Sequence, residues 1–547
     1  MSLGRPLPVL SSPVSDEAVS FGLEVLSDSG VPERIEALLA HRTGRPRALP
    51  VRTLLVGLLL LAIDDRPLHL KAVTKLLWHR LSPQQRQALG VVGGTATRKA
   101  FLARYRQVRY LFHRVLQVMD PSVEQKNRVV PLCELDSMRT KLSVEEIEAR
   151  RQVLEEVLAA LIEASVRVCS PDELSGFDGS VGLDATPVPL YSRGPSARTG
   201  RSASDPDGGW YIREGDHREV TGPGGKKLRK IFWALDATIV TMGRPPGAVA
   251  KYPNLVLGIS LARPSEDPGG SGTRLLASVR DRGWPAGFAG ADRGYSQCLP
   301  EHFHLPVRSL GYSVVMDYKV TELGYQANSE GAVMVDGTFY CPAMPELLVA
   351  ANADHRAGTI DEVTWRARIE ARAPWRLVRK QGPDPDGYER WACPAIGGHP
   401  KLCCPLREPD RALGQIPVLV PPADPPKICR QTAVTIAPDV GARHRQDLAF
   451  GSEQWARTYA TYRNTIEGQN GFMKDTAHEA LAQPGRRRVR GIAAQSLFVG
   501  FLTMAANFRK IAAFRELTAN GDGEKVVERA RRRRMSITDY RPPPPGG

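Results

Sequence analysis

No stretch of this 547-residue chain reads as a membrane-spanning segment. The longest run, residues 54–63, carries Gly57 inside it and is about half of what a spanning helix needs. Its Asp64-Asp65 boundary suits a buried core helix instead. Near the N-terminus Arg5 is followed by Pro-rich, Ser-rich and acidic sequence, so no signal peptide and no membrane association are expected. Cysteine is sparse: the 8 residues form no repeated C-x-x-C pair, and disulfides are not expected in a reducing compartment. Negative charge is in deficit, with 59 Asp plus Glu against 74 Lys plus Arg and a net charge of +15. That balance draws a polyanionic partner and makes binding salt-dependent, whether the protein is an enzyme, a packaging protein or a simple binder.

What is present suggests several domains, since 42% hydrophobic residues over this length can bury more than one core. Apolar positions recur at helical spacing through 51–63, 70–78 and 101–119, broken by Ser82-Pro83 and by the glycines of 90–94. Residues 30–120 are therefore expected as a separate helical domain, preceded by an arm over 1–29. Lys71, Lys75, His79 and Arg80, with the arginines of 98–114, give these helices a basic face. That face fits a helix-turn-helix reader of DNA ends, or a bundle used for packing or dimerisation. Ser143-x-x-Glu146 is a capping box that opens a charged helix over 143–168, and residues 121–175 are expected as a helical linker.

Three acidic residues stand out by their surroundings. Asp184, in Val181-Gly182-Leu183-Asp184-Ala185-Thr186, and Asp292, in Phe288-Ala289-Gly290-Ala291-Asp292-Arg293-Gly294-Tyr295, each end a short apolar run that meets turn residues. A buried strand delivers a side chain to the rim of a sheet in this way. Glu467 lies on a segment of helical character, four residues after Arg463 and on the same face, with Lys474 about two turns further along. Alone, that pair would be an ordinary exposed salt bridge. Leu235-Asp236-Ala237-Thr238 repeats the tetrapeptide around Asp184, but it falls within or at the end of the return strand of a hairpin, a usual place for a structural Asp, so Asp184 is preferred. Asp178 reads as a turn residue.

In this order, an apolar-Asp-x-Thr strand, an Asp-Arg-Gly-Tyr turn and the trio Arg463, Glu467 and Lys474 resemble the DDE transposases of bacterial insertion sequences, in the group with a Tyr-Arg-Glu-Lys signature. The resemblance spans roughly residues 175–510. Arg, Glu and Lys keep the signature's spacing and the tyrosine departs from it: the family has two residues between Tyr and Arg, whereas Tyr459 has three and Tyr462 none. The resemblance implies a ribonuclease H-like α/β core, a mixed sheet flanked by helices, with the first Asp on the first strand, the second near the end of the fourth, and the Glu on a later helix. It implies hydrolysis at the element's ends and 3′-OH strand transfer into target DNA, with Asp184, Asp292 and Glu467 holding two Mg²⁺ (or Mn²⁺) ions. Such hard ions prefer oxygen ligands, and a pair about 3.5–4 Å apart can activate water and stabilise a leaving oxygen. Its partners would be terminal inverted repeats and target DNA, with a homodimer or larger assembly at synapsis, in the bacterial cytoplasm and associated with the nucleoid. Two other readings stay open: an inactivated scaffold that binds DNA without cutting it, and a metal-dependent nuclease without strand transfer.

Strands are expected over 181–190, 229–241, 252–262, 286–292 and 311–318, and helices over 274–282 and 454–475. The stretch from Asp292 to Glu467 is too long for a core connection, so the core is divided into 176–320 and 434–515 by a β-rich insertion over 321–433. Within it Cys341, Cys393, Cys403 and Cys404, with His399 nearby and Cys429 further on, are either a structural Zn²⁺ site or free thiols. Cys133, Cys169 and Cys298 read as core or loop residues. Arg463 and Lys474 either hold DNA phosphates or pair with Glu467, while Arg293 and Tyr295 either contact DNA or cap their turn. Arg486, Arg487 and Arg488 would extend the phosphate track. Residues 186–228, Gly-rich with several arginines, read as a hairpin or loop closing over DNA, and 491–510 as a packing helix. Residues 516–547, basic and Pro-rich, are expected as a disordered tail.

Overall fold

The computed structural model describes residues 13–40, 47–122, 126–139, 142–195, 199–214, 229–244, 251–396, 400–407 and 418–519. The arginine-rich tail beyond 519, His399, and residues 196–198 and 215–228 of the arginine-bearing stretch lie outside these residues.

Helices dominate the first part because their apolar residues line up on one side. Helix α1 (Asp16–Ser29) starts where the Ser15 side chain accepts the Ala18 N–H and stops at Gly30 in the left-handed region. Helix α2 (Val51–Ile63) is apolar all round and buried all round. Helix α3 (Arg98–Gln117) buries Val108, Leu111, Phe112 and Val115 and turns Arg98, Arg106 and Arg109 to solvent. Helix α4 (Val144–Val166) opens on the capping box of Ser143 and Glu146, and its stripe of Leu154, Val157, Leu158, Leu161 and Ile162 is buried.

The main sheet is mixed. Its strands are β1 (Val181–Pro189), β2 (Gly209–Glu214), β3 (Arg229–Met242), β4 (Val256–Ala262), β5 (Phe288–Ala291) and β6 (Ser313–Val315), in the order β4-β3-β1-β5-β6 with β2 also paired to β3. β1–β3 and β3–β4 are antiparallel, while β1–β5 and β5–β6 are parallel. Helix α5 (Pro268–Asp281) covers one face and α6 (Glu453–Lys474) the other: a Cβ on Gly272 of α5 would meet Leu183, and one on Gly182 would meet Ile466 of α6. Adjacent β1 residues point to opposite faces. Helix α7 (Ile492–Ala519) packs against α2, α4 and β4. Its Asn507 donates to the Val256 carbonyl at 3.0 Å and accepts the Val256 N–H at 2.9 Å, so a buried side chain completes the open edge of β4. Among the described residues α7 alone is long and apolar enough to span a bilayer, and 72% of its most apolar window is buried inside the protein.

Three regional expectations change. The stretch expected as an arm, 1–29, holds α1, which packs on α2 and α4. The stretch expected as a linker holds α4, a wall of the core against α7 and β4. The helices expected as a separate domain share one continuous apolar core with the sheet, running from Val14 to Ile511. The cause is common to all three: their apolar stripes bury against each other and against α7.

The insertion carries two three-stranded antiparallel sheets, β7 (Tyr325–Ser329), β8 (Ala332–Val335) and β9 (Thr338–Tyr340), then β10 (Val378–Gln381), β11 (Glu389–Ala392) and β12 (Val434–Ile436), with short helices between 346 and 371. Apolar clusters of its own hold it together. β12 completes the second sheet, so the insertion extends past 433.

Candidate functional site

Strand alternation selects the first acid. In the β1–β3 register Asp184 lies opposite Ile239 and Pro187 opposite Asp236. Directly opposed residues share a face, so Asp184 and Asp236 point to opposite sides of the sheet. Asp184 faces α6, and Asp236 does not line the cleft described next. The second acid arrives by parallel pairing: Leu183 lies opposite Ala291, so Asp184, midway along β1, and Asp292, just past the end of β5, stand side by side at one level. Because β2 is an additional strand, Asp292 follows the fifth strand in chain order rather than the fourth. It caps a single helical turn, its Oδ1 accepting the Gly294 N–H at 2.8 Å. The third acid, Glu467, projects from α6.

These three meet in a cleft of about 870 Å³, whose lining also includes Thr186, Tyr211, Tyr459, Arg463, Asn470 and Lys474. Asp184 is the most recessed. Burial pushes its carboxyl up to about 7, with the charge of Asp292 next and that of Glu467 smaller, while the Ala185 N–H and Lys474 act against the rise. Asn470 Nδ2 donates to Asp184 Oδ2 at 2.8 Å. Arg463 Nε donates to Glu467 Oε1 at 2.9 Å and its Nη1 to the Tyr459 hydroxyl at 3.2 Å. The Arg463 and Glu467 side chains are 40% and 53% exposed, so this ion pair is weak and readily exchanged for another partner.

The two tyrosines divide the work between them. Tyr459 stacks on Trp455 and lines the cleft. Tyr462 is buried beneath α6, where Gly290 and Gly243 leave room for it: a Cβ on either would fall well inside van der Waals contact with its side chain.

Other candidate DNA contacts are redistributed. Arg463 and Lys474 line the cleft. Arg293 Nε donates to the buried Asp317 at 2.8 Å. Tyr295, expected to contact DNA or cap the turn, is buried against Phe303 and presents no face to a ligand. Arg487 is fully buried and donates to the Leu481 carbonyl at 2.9 Å, because the turn at Pro484–Arg486 directs it inward. Arg486 bonds Asp65 at 2.6 Å, and Arg488 stays exposed with its guanidinium 4.9 Å from the Tyr191 ring centroid.

Sequence reasoning missed Asn470, Thr186 and Tyr211. Asn470 is three residues beyond Glu467 on the same helix face, and Thr186 two beyond Asp184 on the same strand face, so both were within reach of the spacing rules. Tyr211 depends on the pairing of β2 with β3, which no local signal gives.

Of the cysteines, Cys341, Cys393 and Cys404 are buried in one apolar cluster. Cys403 is half-buried and outside that cluster, and Cys429 is buried in the neighbouring one. Among the described residues no three His, Cys, Asp or Glu side chains, as they stand, close on a common metal position. Searches among known protein families, curated proteins and solved structures find no match to the chain.

Proposed function

We propose that the protein is a DDE-type DNA transposase, hydrolysing phosphodiesters at the ends of its element and joining the freed 3′-OH to target DNA. The observation that carries this reading is one cleft lined by Asp184, Asp292 and Glu467, delivered by two adjacent strands and a helix, with Arg463 and Lys474 beside them. The strand assignments of the two aspartates, the mixed sheet and the helical glutamate also support a ribonuclease H-like core.

The donor set fits hard divalent ions. All three candidate ligands are carboxylates, and the proton affinity of Asp184 is high because burial and Asp292 leave its charge uncompensated. Asp184, Asp292 and Glu467 would hold Mg²⁺ or Mn²⁺, two ions that when bound supply charge to the attacking and leaving oxygens. The chain's own residues do the rest. Asn470 fixes the Asp184 carboxylate, Arg463 offers a planar fork and Lys474 a point charge to the DNA backbone, and Tyr211 and Tyr459 line the cleft.

Incubating the full chain with a pre-cleaved element end, plasmid and Mg²⁺ tests this. Covalent joining of the end to plasmid is expected and should vanish in Asp292→Asn. Cutting without joining would mark a plain nuclease, and binding without either would mark an inactive scaffold.

A further inference from the structure

We propose that Cys341, Cys393, Cys404 and Cys429 form a structural Zn²⁺ site that ties the two sheets of the insertion together.

Three of these cysteines open the same backbone device. Cys341 directly follows β9, the last strand of the first sheet, and Cys393 directly follows β11, the central strand of the second. Their segments match: Cys341-Pro342-Ala343-Met344 and Cys393-Pro394-Ala395-Ile396. In each, the N–H of the fourth residue donates to the cysteine carbonyl, at 3.0 Å from Met344 and 3.1 Å from Ile396. Cys404-Pro405-Leu406-Arg407 repeats the turn, closed by the Arg407 N–H at 2.9 Å. A turn of this kind presents the N–H of its third residue to the sulfur, and Ala343 and Ala395 do so to Cys341 and Cys393, favouring the thiolate.

Cys429 supplies the fourth sulfur from the helical turn Lys427–Arg430, just before β12. The Arg407 guanidinium donates to the Ile428 carbonyl at 3.0 Å and also to that of Gln431, which binds the Cys404 turn to the Cys429 turn. All four residues are at most 9% exposed. Cys341 lies within electrostatic range of the Cys393, Cys404 and Cys429 thiols, and Cys404 within the same range of Cys393 and Cys429. Four sulfurs from such neighbouring turns match the donor set that a tetrahedral d¹⁰ ion with soft ligands takes. As they stand the thiols do not enclose a common position, so binding would draw them together between turns that are already formed.

Cys403 does not belong. It pairs with Val418 in an isolated bridge and its side chain is half-buried. Its neighbour Cys404 is the ligand, and the alternation of an extended segment turns the two apart.

The rival is a set of buried thiols acting as small apolar side chains. Full-length protein produced in zinc-containing medium and purified without chelator distinguishes them. About one Zn²⁺ per chain is expected, lost in Cys429→Ser and Cys341→Ser and kept in Cys403→Ser. Because a core substitution can unfold the insertion, wild-type protein exchanged with Co²⁺ provides the second reading: strong thiolate-to-cobalt charge transfer with tetrahedral visible bands is expected. Folded wild-type protein without metal, a Co²⁺ form lacking those bands, or zinc that follows Cys403 rather than Cys429, overturns the site. None of these outcomes depends on DNA cleavage.

Discussion

Two clusters of neighbouring acids in this protein meet the same difficulty and resolve it differently. At the head of α7, Asp205 accepts the Gly491 N–H at 3.1 Å, and Asp207 accepts the Ile492 N–H at 2.7 Å and the Ser122 hydroxyl at 2.6 Å. Lys126 lies 2.7 Å from Asp120 and 3.5 Å from Asp207. These acids sit at the positive end of a helix and beside the half-buried Lys126, so part of their compensation is built into the fold. In the cleft Asp184 has the Asn470 amide and the Ala185 N–H, Asp292 the Gly294 N–H, and Glu467 an exposed guanidinium. Both groups contain a carboxyl pushed up to about 7, Asp205 in one and Asp184 in the other, each by burial first and a neighbouring Asp second. The difference lies in access: one group is walled in by its own donors and the other opens on a cavity. Acids of the first kind serve architecture, and acids of the second kind await something from outside.

Exchanging oxygens for amides should separate the two groups most sharply. Asp292→Asn is expected to lower Mg²⁺-dependent cleavage of end DNA on the order of 10²–10³-fold while end binding in a gel shift and the melting temperature stay close to wild type. Asp207→Asn should do the reverse, lowering the melting temperature and sparing the rate of the folded fraction. If both substitutions act on rate alone, the comparison fails.

A smaller effect is expected one step back from the acids. Asn470→Ala removes the donor that orients Asp184, and the apparent affinity for Mg²⁺ or Mn²⁺ in cleavage assays should fall roughly 10–100-fold. An unchanged metal titration would show that Asp184 needs no support from α6.

The pH dependence of stability comes next. The folded protein holds a proton on Asp184 up to about 7, whereas the unfolded chain releases it near the ordinary aspartate value of 3.8. Between those limits the folded state binds more protons, so this group makes stability fall as pH rises. Asp184→Asn should therefore melt above wild type at pH 8 without divalent metal, by at most a few kcal/mol, with the gap closing toward pH 4. Thermal melts at the two pH values check this, and a gap that widens in acid contradicts it.

The smallest expected change belongs to the cations. Lys474→Ala should weaken end binding and lower the slope of log affinity against log salt by about one. Arg293→Ala should leave both nearly unchanged, because Asp317 already holds that guanidinium. Equal effects from the two would mean that the DNA path runs beyond the cleft.

Much of the site was legible because its signals are local. The apolar runs before Asp184 and Asp292 became β1 and β5, Ser143 and Glu146 became a capping box, and the spacing of Arg463, Glu467 and Lys474 became a helix face. The choice of Asp184 over Asp236 rested on the hairpin, and the β1–β3 register separates the two onto opposite faces. What stayed hidden depends on contacts between distant segments. An arginine run reads as surface, yet Arg487 turns inward to Leu481. The Asp-Arg-Gly-Tyr turn reads as a polar tip, yet Tyr295 finds Phe303 beneath it. The joining of α1, α2 and α4 to α7 follows from matching apolar stripes, which periodicity marks without saying what each one meets.

The recess beneath α6 works as a spacer gauge. Where Gly290 and Gly243 accept the Tyr462 ring, a missing methyl group sets how deeply the rod carrying Glu467 settles toward the strand tips. Alanine at Gly290 would jack that rod outward from behind, and a lift of about 1 Å is enough to cost on the order of 100-fold in rate. The tolerance of the whole trio is thus machined into the packing between the helix and the sheet.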